Sequence, residues 1–214
     1  MKRSMRVGGL IVALVAMTGV GATFLGAANA GGARPSVAGT DGVATLRNAS
    51  GDQMGVIRLT QGAGYVIVRA SVAGLTPGFH GFHVHANNDP ANGDGCIADP
   101  AQPSNTWFLS VDGHYKLGNE THGAHQGDLP ILLLNGTGTA DSTAVARFRT
   151  DRFLVSDVVG RAVIVHALAD NFANIPLGVN TDQYTANSTA ATDKTAATGN
   201  AGDRLLCGII EATP

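Results

Sequence analysis

The sequence predicts an all-β domain, an antiparallel sandwich or barrel of eight short strands. Three observations lead there. Apolar and β-branched runs of four to nine residues recur along the chain. Clusters of Gly, Pro and Asn punctuate the gaps between them, as at Thr76-Pro77-Gly78 and Asn135-Gly136. Helical periodicity is almost absent.

Val43 to Arg47 and Met54 to Thr60 are the first two runs. Tyr65 to Ala73 is the clearest, with Val66, Val68, Ala70 and Val72 on one face and Arg69 and Ser71 on the other. That alternation has the period of a half-buried strand. Phe79 to Ala86, Ile131 to Leu134, Thr143 to Thr150, Ala162 to Leu168 and Arg204 to Glu211 complete the eight. Two stretches break the rhythm, Asn87 to Pro130 and Ala169 to Asp203. Connections this long in a compact domain are usually functional or disordered. A Thr/Ala-rich tract from Thr185 to Thr198 reads mostly as solvated loop.

The first thirty residues read as an export signal. Lys2, Arg3 and Arg6 precede an apolar stretch from Val7 to Leu25, and Ala28-Asn29-Ala30 has the small-x-small form of a cleavage site. An uncleaved membrane anchor is the competing reading. Residues 31–40 form a flexible lead-in to a domain over 41–214. After cleavage no stable membrane insertion is expected, and periplasm, cell wall and medium stay open as destinations. Cleavage removes three basic and no acidic residues, so the formal charge goes from −2 to −5. A mildly acidic chain with 14% charged residues is a poor nucleic-acid binder. Its 44% hydrophobic content excludes a disordered chain. Cys96 and Cys207 are the only cysteines, and an oxidising compartment favours their bridging.

All seven histidines lie between His80 and His166. His83 and His85 stand two apart in a strand, so both rings share one face while Phe82 and Val84 face the other. A pair of imidazoles on a rigid strand suits copper or zinc, although two surface histidines would look the same. His166 closes the apolar run Val163-Ile164-Val165, either as a ligand or as a hydrogen-bonded core residue. Four residues on, Asp170 is placed to orient a ligating imidazole. His114, His122, His125 and Asp128 follow the spacing H-x7-H-x2-H-x2-D. Three imidazoles and a carboxylate form a closed four-ligand set of the kind zinc accepts.

The chain resembles the copper/zinc superoxide dismutase family, its secreted bacterial members most of all. The matching stretches are GFHGFHVH at Gly78 to His85, GHY at Gly113 to Tyr115, HGAHQGDLP at His122 to Pro130, VHALAD at Val165 to Asp170 and TGNAGDRLLCGII at Thr198 to Ile210. They run in the family's order across nearly the whole mature domain. The resemblance implies an eight-stranded antiparallel Greek-key β-barrel or sandwich with two long functional loops. It also implies dismutation of superoxide at a copper ion bridged to a structural zinc, protecting the cell envelope. His83, His85, His114 and His166 match copper ligands. His114, His122, His125 and Asp128 match zinc ligands, with His114 shared as an imidazolate. Asp170 matches the carboxylate linking His83 to His122. Arg204 matches the arginine beside the open copper face, and Thr198 the threonine bounding that entrance. Cys96 and Cys207 match the intrachain disulfide, and His80 a packing position that binds no metal. The connection around Cys96 is longer than in compact members. Its Trp107-Phe108-Leu109 run either covers an edge or meets a partner. Family members are monomers or associate through different surfaces, so a homodimer stays open.

Two other classes compete with the enzyme. A copper-storing relative would need neither Arg204 nor Asp170, and a zinc-only structural domain would not need the His83, His85 and His166 triad.

Overall fold

The computed structural model describes residues 40–172 and 189–213. The expected signal peptide over 1–30 lies outside them, as do the lead-in up to residue 39 and residues 173–188 of the second long connection.

Nine strands form where eight were expected: β1 Asp41–Arg47, β2 Gln53–Gly62, β3 Tyr65–Ala73, β4 Gly78–His80, β5 Phe82–His85, β6 Leu132–Leu134, β7 Thr143–Thr150, β8 Ala162–His166 and β9 Arg204–Thr213. The extra one arises because the expected Phe79 to Ala86 strand breaks at Gly81. A Cβ there would lie 2.6 Å from the Ala201 Cβ and 3.1 Å from the His83 ring, so only glycine lets the strand turn at this point. The break moves the chain from one sheet into the other. β4 pairs with β6, while β5 forms an edge of a seven-stranded antiparallel sheet ordered β5-β8-β9-β1-β2-β3-β7. An isolated bridge from Asn135 to Thr143 links the end of β6 to β7, so the two sheets meet there as well as at the Gly81 break. Neighbours distant in sequence (β3 with β7, β5 with β8, β1 with β9) make this the expected barrel-like architecture.

Alternation does the packing. In β3, Val66, Val68, Ala70 and Val72 are buried, and Arg69 and Ser71 are exposed. Their inward faces join Leu46, Ile57, Leu59, Phe82, Val84, Val163, Val165, Leu206 and Ile210 in one core. A second, smaller cluster settles the role of the Trp107-Phe108 run. Phe108 and Val111 pack on Ala162, Ile164 and Cys207, with Trp107 and Cys96 beside them. These residues cover the outer face of β8 and β9, while Leu109 stays exposed.

The Thr/Ala tract departs from the solvated-loop reading. Its described part forms helix α2 over Thr189–Thr198, following a single-turn helix α1 at Val155–Val158, while residues 185–188 lie outside the described residues. Alanine carries the best intrinsic helix propensity, and tertiary contacts complete the element. Thr195 is buried, the Ala196 carbonyl accepts the His122 N–H at 2.7 Å, and the Asn171 side chain donates to the Thr195 hydroxyl at 3.0 Å. The helix thereby rests on the zinc-type loop. Among the described residues no helix is long and apolar enough to cross a membrane.

Candidate metal centre

β5 and β8 pair with His83 opposite Ile164 and Phe82 opposite Val165, which leaves His83, His85 and His166 close together at one end of the sheet. The His114 segment docks by a bridge to His85, and the Asp128 segment by a bridge to His83. Six histidines and Asp128 thus meet in one buried cluster. His83, His85, His114, His122, His125 and His166 are all at most 4% exposed. His83, His85, His114 and His166 each offer a ligand atom within 4.8 Å of the others, and so do His83, His114, His122 and Asp128.

The hydrogen bonds decide which ring nitrogen is left over. His83 meets Asp170 Oδ2 through Nε2 at 2.7 Å, so its Nδ1 points into the cluster. His85 donates Nδ1–H to the Asp112 carbonyl at 2.8 Å, and His166 donates Nδ1–H to the Gly202 carbonyl at 3.0 Å. Their Nε2 atoms remain. His83 Nδ1, His85 Nε2, His114 Nε2 and His166 Nε2 are all buried without a hydrogen-bond partner. Four orphaned imidazole nitrogens would be a heavy burial penalty unless a cation binds them. They fit copper.

The second group is tighter. Asp128 Oδ1 lies 2.8, 3.1 and 3.3 Å from the Nδ1 atoms of His114, His122 and His125. His125 Nδ1 lies 3.4 Å from His114 Nδ1. A tetrahedral ion with ligands about 2.0 Å away would have ligand-to-ligand edges of about 3.3 Å. The observed spacings therefore fit zinc. His122 is held through Nε2 by Asp170 Oδ1 at 2.8 Å, and His125 through Nε2 by the Glu120 carbonyl at 3.0 Å. His114 alone turns one nitrogen to each group, which is what a shared imidazolate requires.

Asp170 reaches both metal sets because Gly199 leaves it room. A Cβ on Gly199 would fall 1.9 Å from Asp170 Oδ1, and the residue sits at φ +62°. His80 stays out of the cluster. Its two nitrogens face the His166 and Thr76 carbonyls at 2.6 and 2.8 Å, leaving neither for an ion.

Arg204 stands across the β8–β9 ladder from His166. It donates to the Phe108 and Asp112 carbonyls. Burial pulls its pKa down to about 10, with the Asp112 charge opposing, so it stays cationic at neutral pH. Thr198 sits at the end of α2 and gives its hydroxyl to the Lys194 carbonyl at 3.2 Å. Cys96 and Cys207 are bonded, with Cα atoms 5.6 Å apart.

Sequence reading missed two supporting residues. Asp112 has φ +62°, and its carbonyl serves both His85 and Arg204. Its carboxylate holds the Asn88 and Asp89 N–H groups and the Asn92 amide. Arg152 holds the His125 and Gly123 carbonyls at 2.6 and 3.0 Å. No motif marks either; both act through backbone geometry.

Without metal the site carries its own pH signature. Burial lowers His83 and His114 to about 4 and His166 to about 3, and it depresses His85 as well. His122 goes the other way, up to about 9, because Asp128 and Asp170 outweigh its burial. A histidine held below 6.5 loses stability for the fold as pH falls from 6.5 to its folded value, since the unfolded chain takes the proton first. The His122 contribution is complete below 6.5 and is lost as pH rises through about 9. The metal-free protein should therefore be most stable near pH 6.5. Urea midpoints measured across pH check this, and a midpoint still rising below pH 6.5 would contradict it.

Comparison with known proteins agrees with this chemistry. The family model for copper/zinc superoxide dismutase matches residues 53–210. Superoxide dismutase (Cu-Zn) of Mycobacterium tuberculosis is 35% identical over 174 residues, covering 78% of this chain and 68% of the relative, and that of Mycobacterium bovis matches equally. The Mycolicibacterium paratuberculosis enzyme of the same name is 34% identical over 196 residues, covering 86% of this chain and 80% of the relative. On a match that takes in most of the barrel and both ligand groups, this chain belongs to the copper/zinc superoxide dismutase family.

Proposed function

We infer that this protein dismutes superoxide, converting two superoxide anions and two protons to molecular oxygen and hydrogen peroxide. The observation that carries the reading is the single imidazole of His114 turned to two ligand groups at once, one fit for copper and one for zinc. When bound, copper supplies one-electron redox chemistry, and zinc, having no accessible redox state, supplies a fixed charge.

The chain's own residues do the rest. Arg204 is always cationic and commits one N–H to each of two carbonyls, so three of its five donors remain to hold a small anion. His114 Nε2 can hold a proton and pass it to the reduced product. Asp170 fixes the His83 and His122 rings, while the Asp112 and Gly202 carbonyls fix His85 and His166. Thr198 bounds the entrance from the end of α2. A storage protein would need neither the anchored arginine nor the linking carboxylate.

This reading extends to location and partners. Residues 1–30 direct export, and the mature chain works outside the cytoplasm, where the Cys96–Cys207 bridge persists. Superoxide is the partner; nucleic acid and a permanent membrane span are not. A homodimer would use Phe79 and Leu133, an exposed apolar pair facing each other across β4 and β6.

The test is a dismutation assay on metal-analysed mature protein. About one copper and one zinc per chain are expected, with activity following copper. Asp128→Ala should release zinc before copper. A wild-type protein that takes up zinc alone and never copper would overturn the reading.

A further inference from the structure

The outer face of β2, β3 and β7 carries a feature unrelated to the metal cluster. The ladder sets Arg58 opposite Arg69, and Arg69 opposite Arg147. Arg149 follows two residues along β7, its guanidinium 3.5 Å over the Tyr65 ring. All four are exposed. They are four of only 11 basic residues in an otherwise acidic mature chain. Strand spacing of about 4.8 Å sets the Arg58 and Arg147 backbones roughly 10 Å apart, with Arg69 between.

Like charges directly opposite one another destabilise a sheet, and interleaved carboxylates are the usual remedy. That remedy is missing here. Among the described residues no carboxylate lies within 4.0 Å of any of the four. The nearest acidic position along the row is Glu211, across β9 and β1 and paired with Val43. Asp151 lies beyond the end of β7, and the neighbouring rows carry Thr60, Ile67, Ser71 and Val145. Among the described residues the four guanidiniums make a single hydrogen bond, from Arg69 to the Thr60 hydroxyl of the neighbouring row at 3.3 Å.

We propose that this arginine row is a docking surface for a linear inorganic polyphosphate chain lying across the strands. Guanidinium forks match phosphate geometry better than ammonium groups do, and every basic residue of the row is arginine. The charges stand in file, one strand apart, which suits an extended chain of anions. A lipid surface fits less well, because among the described residues Val145 is the only strongly exposed aliphatic side chain on this face and insertion into a lipid surface uses an apolar wedge.

Inorganic polyphosphate is the probe, with binding to the metal-loaded protein followed by fluorescence anisotropy against salt. Wild type should bind with a log–log salt slope of about −3, as expected for four neutralised phosphates on a single strand. Arg69→Glu with Arg147→Glu should weaken binding at least about tenfold and roughly halve the slope. Dismutation by that variant should stay within about twofold of wild type, since neither residue touches the metal cluster. Lys116→Glu with Arg47→Glu makes the same change in net charge elsewhere and should leave binding intact. The proposal fails if wild type does not bind, if the two double variants lose binding equally, or if anionic vesicles are bound and polyphosphate is not.

Discussion

Arg204→Ala should slow superoxide consumption by about a hundredfold while copper stays bound, the lower end of the range for removing one preorganised hydrogen-bond donor from a site of anionic charge. The guanidinium is half-buried and anchored at two carbonyls. It therefore presents its remaining donors without rotamer search. Its charge is also felt by His85 and His166, whose basicity it lowers after burial and the neighbouring histidines have done so. Alanine removes docking and steering together, so the rate should also lose most of its dependence on ionic strength. Steady-state superoxide decay over a salt series, with copper content measured on the same sample, checks the expectation. A variant with the wild-type rate and salt response would remove Arg204 from the mechanism.

Breaking the Cys96–Cys207 bridge should have the largest effect on stability. The bridge closes a separation of 111 residues, and loop-closure entropy for a loop of that length is about 4–5 kcal/mol. For a domain of this size that is a fall in Tm of roughly 10–15 °C. The change should also reach the site. Cys96 belongs to the small cluster with Phe108 and Val111, and the Phe108 carbonyl is one of the two anchors of Arg204. Cys96→Ser with Cys207→Ser should therefore weaken affinity for a small anion such as azide as well as lower Tm. Calorimetry and an azide titration separate the two effects; an unchanged Tm would show that the bridge constrains nothing.

Much of this was legible in the residues. Strand alternation at Tyr65 to Ala73 and the turn signals around it depend on local sequence alone, so β2 and β3 formed as read. The break at Gly81 was not legible, because its cause is Ala201, far along the chain. Helix α2 was missed for a related reason: Thr and Ala repeats show no amphipathic stripe, and what stabilises the element is its contact with His122 and Asn171. The ligand types and their spacing pointed to metal before any fold was known. The choice of nitrogen at His85, His166 and His125 was not accessible, since it is set by carbonyls at Asp112, Gly202 and Glu120 that carry no side-chain signature. Asp112 is the sharpest case. An aspartate in a Gly- and Asn-rich connection looks like ordinary solvation, yet its backbone is a shared anchor.

Asp170 touches His83 with one oxygen and His122 with the other. The two metal sites are therefore thermodynamically linked, through this carboxylate as well as through His114. Ordering one set of rings orders part of the other before its own ion arrives. Linkage is reciprocal: whatever factor zinc adds to copper affinity, copper must add to zinc affinity. Retention of the redox ion in such a protein is a property of the pair, and a chelator that strips one ion loosens the grip on its neighbour.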